Sequence, residues 1–157
     1  MNNPIKITIA LADEINRLPV AKKRMRELVQ FVCDGEQVAH AEIVVIFVGA
    51  ERMRVLNSRF LKHDYPTDVL AFPFHAEDQI IEGEIYVCVN TAYEQAVDYR
   101  VPLKEELMRL TIHGLLHIFG YDDTHEKERS GMHQKGEHYM RQFMSSAGLS
   151  AAGETKS

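Results

Sequence analysis

Residues 5–10, IKITIA, alternate and are rich in β-branched side chains, which predicts a strand. Residues 41–48, AEIVVIFV, form a near-continuous apolar run of strand length, the pattern of a strand covered on both faces. Between them, Met25, Leu28, Val29 and Val32 recur at i, i+3, i+4 and i+7. That spacing predicts a helix with Pro19 in its first turn and Gly35 at its end. A short helix is expected over 50–61, with Met53, Leu56 and Phe60 turned inward, followed by a loop over 62–67. Asp68–Phe74 and Gly83–Val89 read as two more strands. Their connector, 75–82, has the length of a hairpin loop and predicts an antiparallel pair. Asn90 is a favourable cap for a helix over about 91–100. Pro102 then opens the longest apolar stretch of helical spacing, LKEELMRLTIHGLLHIFG, which Gly120 stops. A last helix is expected from about 125 to 145, with Met132, Tyr139, Met140 and Phe143 inward. The small, polar tail after it is expected to fray.

The order β α β α β β α α α predicts an α+β protein, with α/β the near alternative. The expected architecture is one mixed sheet of about four strands with helices packed on it. A single domain is expected over 1–145, with a disordered tail at 146–157. The 157 residues are 45% apolar and 26% charged, which excludes a disordered chain, a collagen and a coiled-coil rod. Two cysteines, Cys33 and Cys88, are too few for a disulfide scaffold and read as small core residues. No apolar run is long enough to span a membrane, and the opening MNNPIKITIA lacks the layout of a signal peptide. A cytoplasmic protein is therefore expected. The net charge of −5 argues against loose, counterion-driven binding to nucleic acid but leaves room for a local basic patch.

Eight histidines depart from an average composition, and five of them crowd into the last third of the chain. His113 and His117 are four apart on the apolar helix, so they share a face one turn apart, within reach of one zinc ion. Leu110, Ile112, Leu115, Leu116, Ile118 and Phe119 make that helix apolar almost all round, hence central and buried. Two adjacent imidazoles there could each be satisfied separately, or one metal could satisfy both. Gly120 then turns the chain back, and Asp122, Asp123 and His125 are the next candidate ligands. The string H-x-x-x-H-x-x-G-x-x-D, from His113 to Asp123, has the layout of the metzincin zinc enzymes. The glutamate that follows the first histidine in those proteases, and serves as their base, is here Gly114.

HGLLHIFGYD at 113–122 resembles the signature of the YbeY family, bacterial metal-dependent endoribonucleases of ribosomal RNA maturation. LNSRFLKHDYPTDVLAFP at 56–73 and GEIYVCVNTAYEQA at 83–96 are similar to two other blocks of that family, in the same order and spacing. The similarity spans about residues 5–145. It implies a zinc-dependent, single-strand-specific endoribonuclease. The implied role is small-subunit ribosomal RNA 3′-end maturation and ribosome quality control, with ribosomal RNA and the small subunit as partners. It also implies an arginine near the metal, here Arg59, whose guanidinium fork suits the charge that develops on phosphoryl oxygens. The family usually has a histidine directly after GYD, whereas this chain has Asp123. A carboxylate can ligate zinc through oxygen, so Asp123 is taken as the third ligand. Asp123-x-x-Glu126 is also a capping-box pattern, and if Asp123 caps the last helix, His125 takes the metal.

Other polar residues have plainer readings. Asp64 and Asp68 suit turn chemistry around Pro66-Thr67, although Thr67 and Asp68 could also orient a histidine ligand. His63, His75, His133 and His138 are expected at the surface. Lys22, Lys23, Arg24, Arg26, Arg52, Arg54, Arg59 and Lys62 are the cations suited to an RNA backbone. Two rival functions remain: a zinc hydrolase of another substrate, such as a peptidase, and a ribosome assembly factor whose metal is structural.

Overall fold

The computed structural model describes residues 4–61, 67–74, 80–121 and 124–155. Its elements follow the order β1 (Ile5–Leu11), α1 (Lys22–Gly35), β2 (Ala41–Val48), α2 (Ala50–Leu61), β3 (Val69–Phe74), β4 (Ile81–Cys88), α3 (Val89–Tyr99), α4 (Leu103–Ile118) and α5 (Glu126–Thr155). The four strands form one mixed sheet in the order β1-β2-β4-β3. β1 with β2 and β2 with β4 are parallel, while β3 and β4 form the expected antiparallel pair. This is the α+β architecture that the hydrophobic pattern implied.

Side chains alternate across the sheet, and each set buries against different helices. Ile43, Val45, Phe47, Ile85 and Val87 point to the main core, which they share with Met25, Leu28 and Val32 of α1 and Leu107, Ile112 and Leu115 of α4. Val48, Leu70 and Cys88 point the other way and meet Met53 of α2 in a second, smaller core. α2 thus covers one face of the sheet while α1, α4 and α5 share the other. The double coverage explains why β2 reads as an unbroken apolar run. Pro73 falls on β3, an edge strand, where a missing N–H is tolerated.

The boundaries differ from expectation at four places. α1 begins at Lys22, so Pro19 precedes the helix instead of opening it. Asn90 lies inside α3, and its Oδ1 accepts from the Ala50 N–H at 3.0 Å, so it caps α2 instead of its own helix. Phe60 is 58% exposed rather than inward, with its ring edge-on to Phe72 at 5.5 Å. α5 continues to Thr155, ten residues beyond the expected end at 145. His133 and His138 are exposed and Cys33 and Cys88 are buried, as expected. Burial pushes the Cys33 thiol up to about 12.

Candidate metal centre

α4 is anchored from both sides. Ten of its residues are buried, from Glu106 to Ile118. Among them Gly114 meets the sheet so closely that a Cβ there would stand 2.5 Å from Cγ2 of Ile85. Gly83 of β4 makes the reciprocal approach, since a Cβ on it would stand 2.4 Å from Cδ1 of Ile118. With its apolar faces committed, α4 leaves one stripe for polar groups. Glu106, His113 and His117 fall on it at i, i+7 and i+11.

His113 and His117 are both half-buried. Their Nε2 atoms approach to 3.2 Å, and the rings lie 4.8 Å apart at 78°. Two nitrogens at the ordinary zinc–nitrogen distance, placed at tetrahedral corners, are about 3.3 Å apart. The two imidazoles therefore already subtend one edge of a zinc tetrahedron. Without a metal, the same approach suits an N–H of one ring donating to the other.

The helix ends by a motif that its sequence dictates. Gly120 adopts a φ of +101°, which glycine alone takes without strain. The Gly120 N–H donates to the His117 carbonyl at 3.0 Å, and the Tyr121 N–H to the Leu116 carbonyl at 3.0 Å. This is a Schellman turn, which reverses the chain directly after the second histidine. Asp123, like Asp122, His63, Asp64, Lys62 and His75, lies outside the described residues. His125 is exposed and its carbonyl accepts from the Arg129 N–H at the start of α5. Among the described residues, no third His, Cys, Asp or Glu joins the histidine pair.

A family model with the description Endoribonuclease YbeY matches residues 10–144. The chain belongs to the YbeY family. It is 38% identical to the Endoribonuclease YbeY of Chlorobium phaeovibrioides over 149 residues, covering 94% of this chain and 97% of that protein. It is 34% identical to the Endoribonuclease YbeY of Thermotoga petrophila over 128 residues, covering 81% of each. A solution structure of a Thermotoga maritima protein superposes with a TM-score of 0.64 at 28% identity, covering 92% of this chain and 93% of that one.

In this YbeY chain, the other expected site residues are dispersed. Arg59 is exposed in the last turn of α2 and has no ion pair among the described residues. It sits on the helix that covers the opposite face of the sheet from α4. Asp68 serves local structure. Its side chain accepts from the Val69 N–H at 2.8 Å and from the Gln95 amide at 3.2 Å, and its carbonyl accepts from the Cys88 N–H. Of the candidate RNA-binding cations, Arg52 is held by a fork to Glu14 at 3.0–3.1 Å and Arg54 pairs with Glu51. The Arg52 guanidinium and the Gly49 N–H hold the Glu14 carboxyl down to about 2.

Glu106 escaped the sequence reading, although its place on the histidine stripe was a usable signal. It is 2% exposed, and burial pushes its carboxyl up against the opposing pull of Arg109. Arg109 donates to Glu106 at 3.1 Å and to Glu137 of α5 at 2.6 Å. This bridge fixes the polar stripe of α4 against α5, two turns before His113.

Proposed function

We propose that the chain is a zinc-dependent, single-strand-specific endoribonuclease acting on ribosomal RNA, in 3′-end maturation of the small-subunit RNA and in ribosome quality control in the cytoplasm. The reading rests most on one observation: two imidazoles meet at a zinc-tetrahedral spacing beside a helix position with no room for a peptidase base. A glutamate at 114 would drive its Cβ into Ile85. The close packing of α4 on the sheet thus stands against peptidase chemistry by that route, and YbeY membership supports RNA as substrate. No described helix is long and apolar enough to cross a membrane.

In this reading His113, His117 and Asp123 hold the ion. The set of two nitrogens and one carboxylate oxygen suits zinc and leaves a fourth position open. Bound zinc supplies a Lewis acid for a phosphoryl oxygen, or a water of lowered pKa. The imidazoles are held by a rigid helix, so they need little reorganisation to bind. Arg59, with no carboxylate partner among the described residues, keeps its guanidinium fork available for two phosphoryl oxygens as charge builds on them.

Substrate and charge stabiliser can be tested together. The protein, incubated separately with ribosomal RNA fragments and with casein, is expected to cleave only the RNA. Arg59→Ala should lower single-turnover cleavage by about 10²–10³ with RNA affinity nearly unchanged. Arg59→Lys should rescue little, because it keeps the charge and loses the fork. Zinc-dependent casein cleavage that survives Arg59→Ala would overturn the reading.

The third ligand has its own test. Asp123→Ala is expected to weaken zinc binding by more than the roughly 10–100-fold typical of groups that merely orient ligands. His125→Ala should leave it near wild type. If His125→Ala alone weakens binding, the ligand is His125 and Asp123 is a helix cap.

A further inference from the structure

Glu36 directly follows the last residue of α1. Its side chain is 10% exposed and receives donors from two distant parts of the fold. The Tyr121 hydroxyl donates to Oε1 at 2.6 Å, the Tyr139 hydroxyl donates to Oε2, and Lys135 Nζ stands 3.3 Å from Oε2. The Lys135 ammonium also lies 5.5 Å from the centre of the Tyr121 ring. Burial opposes ionisation of Glu36, yet the two phenols and the ammonium together hold its carboxyl below the ordinary value. The neighbouring residue is fitted to the same arrangement. A Cβ on Gly35 would stand 2.4 Å from Cε1 of Tyr139, so a larger residue there would displace the ring.

Tyr121 is held twice. Its N–H closes the Schellman turn onto α4, and its hydroxyl is bound to Glu36. Asp123 follows two residues later. On the far side of that position α5 starts at Glu126, and Lys135 and Tyr139 bind α5 to the same carboxylate.

We infer that Glu36 is a positioning residue of the metal centre: one carboxylate fixes Tyr121 and α5, and so both ends of the short segment that carries the third ligand. The inference rests on reading Asp123 as that ligand. A short stretch of chain between two fixed ends has few conformations to lose, so less ordering entropy opposes metal binding. Glu36 acts through Tyr121 and need not touch metal or substrate.

The test measures zinc affinity, by competition with a chromophoric chelator, for wild type, Glu36→Gln, Tyr121→Phe and Asp123→Ala. Cobalt-substituted spectra and apo-protein melting temperatures accompany it. Both near-isosteric variants should bind zinc about 10-fold more weakly, within the roughly 10–100-fold range for ligand-orienting groups. Their cobalt d–d bands should weaken as the site loosens. Asp123→Ala should lose about 100-fold or more. If Tyr121→Phe does not fold, Glu36→Gln decides alone. Wild-type zinc affinity and cobalt spectra in the near-isosteric variants, with binding lost in Asp123→Ala, would overturn the inference and leave the metal reading standing. A lowered melting temperature with unchanged zinc affinity would overturn it in the same way, because Glu36 would then only brace the fold. Wild-type zinc affinity in Asp123→Ala would instead overturn the metal reading, and the inference with it.

Discussion

Wild-type protein refilled with zinc and desalted retains about one ion per chain, and His113→Ala retains less than about 0.2 under the same treatment. That result is expected because the two imidazoles supply a ready chelate. Their nitrogens stand 3.2 Å apart on one rigid helix, so removing either ring leaves a single nitrogen and a carboxylate. Losing an orienting group costs about 10–100-fold in affinity, and losing a ligand must cost at least as much. Mass spectrometry of the metal content reads the outcome, and His117→Ala should behave alike. Both rings are only half-buried, so the apo variants should melt near the wild type. Retention of a full equivalent by both variants would mean that the ion, if any, sits elsewhere. It would also leave the pair as two imidazoles sharing a hydrogen bond.

Gly114→Ala should lower stability. At an exposed helical site the same change raises it by about 1 kcal/mol, since alanine is the better helix former. Here the added methyl would meet Cγ2 of Ile85 at 2.5 Å and Cγ2 of Val69 at 3.3 Å. Ile85 is β-branched and fully buried in the sheet, so it cannot swing aside cheaply. Overpacking of this kind costs about 1–3 kcal/mol, enough to reverse the sign. At this chain length each kcal/mol moves the melting temperature by about 2–4 °C, so a fall of several degrees is expected. Ile85→Ala should relieve the clash, and the double variant should be more stable than the sum of the two single changes implies. Gly114→Glu, which adds a buried carboxylate to the same clash, should not fold. A rise in melting temperature for Gly114→Ala would mean that α4 does not lie this close to β4.

The elements that the sequence foretold best are those whose signal is local. The continuous apolar run of β2, the heptad-like spacing of α1 and the His113–His117 interval each follow from periodicity within one segment. The misreadings come from contacts between segments. Asn90 has the right chemistry for a cap, yet the orphan amide it meets belongs to Ala50, forty positions earlier. Phe60 has the spacing of an inward residue, but α2 covers only part of its face of the sheet and leaves that ring at the margin. Gly114 was noticed for the glutamate it replaces. Its packing against Ile85 became visible only with the sheet in place. Glu36 carried no signal at all, because Tyr121 and Tyr139 lie 85 and 103 positions away. Asp123, foreseen from its place after the glycine turn, lies outside the described residues and stays with its chemical test.

Those separations bear on how the molecule matures during synthesis. Glu36 leaves the ribosome in the first quarter of the chain, and Tyr139 emerges near its end. A nascent chain that has just released α4 already holds both imidazoles on one helix. It still lacks the phenol and ammonium of α5 that complete the carboxylate's set of donors. Domains tend to fold as units as they emerge, N-terminal parts first. In this chain the last helix to be made binds back to the turn after the first, so the unit cannot close early. A nuclease wired in this way stays unfinished until its own translation is nearly complete. It acquires its full set of contacts only when it is ready to leave the machine whose RNA we propose it cuts.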